Sequence, residues 1–151
     1  MRRQLTTVAI VTSGLLASNP LLAQQDVTFQ TNLLFSCTLT PSAGSLGPNG
    51  DYTELSTENT GAGGAPATIA MVALGGAATV AFSAPTITNS SVAPEISYTS
   101  LSGVSQPYTS SQSSSNPTLL TDTFTINARA SDPSGFGAGS YTITTTATCS
   151  G

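Results

Sequence analysis

The sequence predicts an all-β protein, a sandwich of about seven strands, on three observations. Apolar and polar residues alternate with a period of two over long stretches near both ends. The shorter apolar runs between them are bounded by glycine, proline, asparagine and serine. No long stretch keeps a 3.6-residue period, and threonine, serine, glycine and proline, all poor in helix interiors, are abundant. Short strands separated by turn chemistry bury their apolar faces by stacking as two sheets.

Taken in chain order, the first 23 residues have the layout of a cleavable export signal. Arg2 and Arg3 precede a mostly apolar run over residues 5–17, Ser18, Asn19 and Pro20 break it, and Ala23 stands before Gln24. The run has 13 residues, short of the roughly 18 or more that a spanning helix needs. No cysteine follows Ala23 directly, so a lipid anchor is not expected. Cleavage after Ala23 leaves residues 24–151 as one domain, which is expected to be secreted, periplasmic or on the cell surface and not inserted in a membrane.

From Val27 every second residue is Val27, Phe29, Thr31, Leu33, Phe35, Cys37 and Leu39, with a polar alternate set broken only by Leu34. This reads as one long half-buried strand, or two in succession with a kink. Short segments near residues 45–46 and 52–55 flank an Asn49-Gly50 turn, and residues 60–66 form a flexible turn. Residues 67–74 and 77–84 are apolar runs separated by Gly75-Gly76, a hairpin signal. A weaker strand covers residues 95–101, and the serine-rich residues 106–118 read as a long exposed loop. Residues 120–130 form a clean strand, with Asp122 as the exception on its inward face, expected at the strand's mouth. At the C-terminus Tyr141, Ile143, Thr145, Ala147 and Cys149 alternate with threonines, which suit a pleated outer face.

Cys37 and Cys149 both fall on the apolar phase of their strands, and two cysteines behind an export signal predict one disulfide joining the first strand to the last. Beyond the signal there is one basic residue, Arg129, against seven acids, a balance of −6. Nucleic acid is excluded as a partner, because that binding needs lysine and arginine to displace counterions. Catalysis is not expected: there is no histidine, no lysine, and no evident base for the many serines. No cofactor or metal is expected either. Asp51, Glu54 and Glu58 share a loop with Asn49 and Asn59, but their spacing fits no standard calcium loop, and a solvated acidic turn is the better reading. Gly135-Phe136-Gly137-Ala138-Gly139 precedes a strand rather than a helix, so it reads as a turn and not as a phosphate loop. Asn89-Ser90-Ser91 is a formal glycosylation sequon. Tyr52, Tyr98, Tyr108 and Tyr141 read as scattered core and rim residues.

The stretch Gly137-Ala138-Gly139-Ser140-Tyr141-Thr142-Ile143-Thr144, together with the alternating start, Cys37 and Gly44-Ser45-Leu46-Gly47, resembles the ends of pilin-like bacterial proteins. These include the spore-coat-protein-U-like secreted proteins and, more remotely, the chaperone–usher pilins. The resemblance covers about a third of the chain. It implies an immunoglobulin-like sandwich at the cell surface, with a structural or adhesive role as a pilus-like or coat-like subunit. It also implies that Val27, Phe29, Leu33 and Phe35 can act as a donated strand in self-assembly or in contact with other surface proteins. The residues themselves favour the plainer alternative, in which that segment is the protein's own first strand. Three other classes stay open: a secreted monomeric module that binds sugar or protein through residues 51–59 and 106–118, a soluble monomer that neither assembles nor binds a ligand, and an enzyme, which would need a carboxylate pair.

Overall fold

The computed structural model describes residues 28, 30–32 and 34–151. The expected export signal, the domain start at residue 24, and Val27, Phe29 and Leu33 all lie outside the described residues. The chain divides into two units, Met1–Thr31 and Asn32–Gly151, and every strand below belongs to the second. Among the described residues there are twelve short strands, all paired antiparallel, where about seven were expected.

The larger sheet is built on the longest strand, β10 (Thr121–Ser131), which takes partners on both edges. On one edge lies β4 (Ala67–Leu74), followed by β1 (Ser36–Ser42). Farther along that edge lies β3 (Glu54–Ser56), which pairs with β2 (Gly47–Pro48). On the other edge lie β7 (Glu95–Ser100) and then β8 (Ser105–Thr109). The smaller sheet runs β12 (Ala147–Ser150), β5 (Thr79–Phe82), β9 (Ser113–Ser115). Its β5–β12 ribbon is prolonged by β6 (Thr86–Ile87) paired with β11 (Ile143–Thr144).

The two sheets share one core. Alternate residues of β4 (Ile69, Met71, Ala73) and β10 (Phe124, Ile126) point inward with Ile96 and Tyr98 from β7, and meet Val80 and Phe82 from β5. The rings of Phe82, Tyr98 and Phe124 pack with centroids 4.5–5.9 Å apart, two of the three contacts edge-on. This is the expected β-sandwich, closed by a Cys37–Cys149 disulfide with Cα atoms 6.1 Å apart. The bond joins β1, an edge of the larger sheet, to β12, an edge of the smaller.

Three local expectations change. The first strand begins at Ser36, so the alternation before it is not strand among the described residues, and Phe35 packs half-buried against the core. Gly75-Gly76 is not a hairpin turn, because β4 and β5 lie in different sheets. Both runs are apolar because they face one another across the core. Gly75 (φ +87°) makes the crossing, and a Cβ there would lie 2.5 Å from the Leu34 carbonyl oxygen. Residues 106–118 contribute β8 and β9, since serine and threonine on a pleated edge carry no apolar alternation to betray them.

Asp122 stands at the mouth of its strand as expected, second in β10, and is buried at 4% exposure. Its carboxylate accepts bonds from the Thr123 N–H (2.8 Å), the Ser102 N–H (3.2 Å) and the Ser102 hydroxyl (2.6 Å), tying the β7–β8 turn to β10. Burial disfavours the charge, but bonds from Ser102, Ser100 and the backbone outweigh it and hold the pKa below the ordinary carboxylate value. A depressed native pKa means stability that is present above the unfolded pKa, roughly 3.9, and lost as pH falls below it. The expected result is a denaturation midpoint that drops below that pH in the wild type and drops less in Asp122→Asn. A difference between the two proteins that stays constant from neutral to strongly acidic pH would refute this role.

Candidate functional site: a groove along the last strand

The inward phase of the C-terminal segment is only half-buried at Tyr141, Ile143, Thr145, Ala147 and Cys149. The cause is a missing neighbour. β11 pairs with β6 and β12 with β5, and among the described residues no strand pairs with their opposite edge. Thr142 exchanges backbone contacts with Thr88, its N–H donating to the Thr88 hydroxyl and its carbonyl accepting from the Thr88 N–H. By strand alternation the backbone groups of Ile143 and Thr145 therefore point the other way.

They face a groove of about 740 Å³. Its floor is the interior of the sandwich: Ile69, Ile96, Ile126 and Ala128. One wall is residues 141–145, the other is the end of β1 and the loop after it, residues 41–46. None of the lining residues is charged. The loop stands close to residues 65–67: Ser45 and Ala65 exchange two backbone hydrogen bonds of 2.9 Å, and a Cβ on Gly44 would lie 2.5 Å from the Ala65 carbonyl oxygen. Toward the disulfide the lining ends at Pro41 and Thr145, beyond which Leu39, Ala147 and Cys149 pack against the core.

At the other end it continues into a second cavity of about 590 Å³, since Leu46 and Tyr141 line both. Tyr52, Phe136 and Tyr141 give this pocket an aromatic lining, and residues 137–139 form a wall. Phe136 and Tyr141 pack edge-on at 5.2 Å, and the Tyr141 hydroxyl donates to the Gly137 carbonyl (2.9 Å). Tyr52 is 61% exposed and holds a left-handed backbone, φ +58°. Its carbonyl accepts from the Phe136 N–H at 2.7 Å, and its own N–H donates to the Asn49 carbonyl at 3.2 Å. A tyrosine in that conformation persists only where its surroundings dictate it.

Of the residues the sequence singled out, the structure joins Cys37 to Cys149 and places Phe35 in the sandwich beside them. The asparagines of the acidic turn serve the fold: Asn49 Oδ1 accepts from the Thr53 and Glu54 N–H groups, and Asn59 Nδ2 donates to the Gly47 carbonyl. Among the described residues no three Asp, Glu, His or Cys side chains gather as a metal site would require. Asn89 of the sequon, at φ +59°, donates from Nδ2 to the Ser140 carbonyl (2.8 Å), fixing the start of the last strand. Arg129 lies on the outer face of the larger sheet, its Nε 2.8 Å from Glu95 and its guanidinium 4.1 Å from the Tyr108 ring centre, so β7, β8 and β10 are clamped together. The Ile69–Ile96–Ile126 floor was not legible as a site, because in sequence those residues read as ordinary core. The only trace was a last strand whose inward face carries Thr145 among apolar residues. No family model, curated protein or solved structure matches this chain.

Proposed function

We propose that this protein is an exported, non-catalytic structural subunit of the cell surface, pilus-like or coat-like, whose copies are joined by a donated strand. The observation that carries the reading is the uncharged groove beside the unpaired edge of β11, floored by Ile69, Ile96 and Ile126. An extended segment laid there gains backbone bonds from Ile143 and Thr145 and buries alternate side chains, the two components of strand addition.

The chain contains a segment with that pattern, in which Val27, Phe29 and Leu33 alternate with polar residues. Phe35 is taken up by its own sandwich, so the donated stretch ends at Leu33. That segment joins the sandwich at the disulfide end, where Cys37–Cys149 ties the edge strands β1 and β12 together. A second copy offering its segment therefore reaches the groove from the Tyr141 end. Leu33 then lies at the mouth and Val27 deeper, antiparallel to β11.

Removal of residues 24–33 is expected to leave a folded monomer, while the wild type migrates on non-reducing gels as a ladder that collapses on boiling. A wild type that runs only as a monomer, or a deletion variant that still forms the ladder, would refute strand donation. The second reading, a monomeric binding module, is favoured by the exposed Tyr52 and its pocket. Saturable binding on a glycan array by a strictly monomeric wild type would support it instead.

A further inference from the structure

We infer that the aromatic pocket at the open end receives a leucine cluster from the disulfide end of a second copy, making an end-to-end contact apart from the donated strand. The inference rests on the self-assembly reading above. It starts from where the sandwich leaves apolar side chains in water. Among the described residues seven large apolar ones are exposed: Leu34, Val72, Leu74, Leu101, Leu119, Leu120 and Tyr52. Contiguous exposed apolar surface on a secreted domain marks an interaction site more often than isolated residues do, so their placement decides the matter.

The six aliphatic residues share one end. Val72 and Leu74 lie on the outer face of β4, with Leu74 opposite Ser36 and Val72 opposite Thr121. The Ala73 N–H donates to the Leu120 carbonyl at 2.7 Å, which places Leu119 in register beside Leu74. The Leu101 N–H donates to the Thr123 carbonyl, one strand farther along. The Leu34 backbone lies against Gly75, next to Leu74. The seventh residue, Tyr52, is the exposed wall of the pocket at the opposite end. One end thus carries projecting leucines and the other a cavity of about 590 Å³ with aromatic walls and no charged lining residue.

The occupant follows from chain connectivity. A copy that places residues 24–33 in its neighbour's groove carries its own Leu34 to the mouth of that groove. There Leu46 and Tyr141 line both the groove and the pocket. The leucine cluster around Leu34 is then the surface that meets Tyr52 and Phe136. Because the two patches differ, the contact is heterologous, and repetition builds a filament or ring instead of closing as a dimer. The hydrogen bonds that fix Tyr52 and Phe136 mean that the pocket is formed before the partner arrives.

The test uses the full-length chain and two variants, Leu74→Ser with Leu119→Ser, and Tyr52→Ser. The leucines point outward, and unchanged melting of the same variants lacking residues 24–33 verifies that the fold is intact. Assemblies of either variant are expected to dissociate about tenfold faster than the wild type, since interface substitutions act mainly on the off-rate. Combining all three substitutions is expected to add little, because each variant already removes the same contact. Unchanged off-rates, or fully additive ones, would overturn the end contact while leaving strand donation standing. Assembly that survives removal of residues 24–33 but is lost with Tyr52→Ser would retain the end contact and refute strand donation. A wild type that remains monomeric overturns both.

Discussion

Replacing Cys37 and Cys149 together with serine is expected to lower the unfolding free energy by about 4–5 kcal/mol, the chain-entropy value for a loop on the order of 100 residues. The two residues stand 112 positions apart, so the bond closes nearly the whole sandwich. Free, the unfolded chain regains the conformations that this closure denies it. The native state loses something too, because no hydrogen-bonded ladder connects β1 to β12 and the bond is what ties these two edges. A domain of this size has a total stability of roughly 5–15 kcal/mol, so the variant stands near the edge of folding. Denaturant titration of the wild type with and without reductant, beside the double variant, measures the effect. The reduced wild type and the variant should coincide. A change of less than about 1 kcal/mol would mean that the bond does not restrain the unfolded chain.

Phe124→Ala is expected to cost about 3–5 kcal/mol, the range for emptying a buried aromatic site. Phe124 is fully buried on the central strand β10 and meets Phe82 and Tyr98 edge-on at 5.8 and 5.9 Å. Phe82 comes from the other sheet, so the substitution removes a contact between layers as well as within one. Each aromatic pair adds about 0.5–1.5 kcal/mol beyond area burial. β10 is itself held by β4 on one edge and β7 on the other, which leaves little freedom to collapse into the space. Equilibrium unfolding of the variant checks this, and a loss below about 1 kcal/mol would show that the core relaxes freely around the gap.

The elements that could be read in the sequence are those whose partners lie on both sides. β10 alternates cleanly and β4 reads as an apolar run, and each has one face in the core and ladders on both edges. The last strand also alternates, and its phase is the one expected, yet its inward residues remain half-buried. Alternation records which face turns inward and is silent about whether a neighbour covers it. The crossing at Gly75 was misread for a related reason: two apolar runs around paired glycines look the same whether they pair in one sheet or stack across two. Asp122 stands at the strand mouth as expected, but its partners were not visible in the sequence, because they come from Ser100 at the end of β7 and Ser102 in the turn after it. The groove floor draws Ile69, Ile96 and Ile126 from three strands and its walls from residues 41–46 and 141–145. No local window of sequence contains that site.

The clamp at Arg129 has a consequence for proteolysis. The sequence has no lysine, and its only other arginines are Arg2 and Arg3. Within the sandwich, proteases that cut after basic residues therefore find a single bond, between Arg129 and Ala130. That bond lies where β10 is paired with β3 on one edge and β7 on the other. Cleavage needs the strand stripped from both neighbours, which amounts to dismantling the central sheet. For such enzymes the folded sandwich presents no digestible loop, and its lifetime in their presence is set by how rarely the whole domain opens.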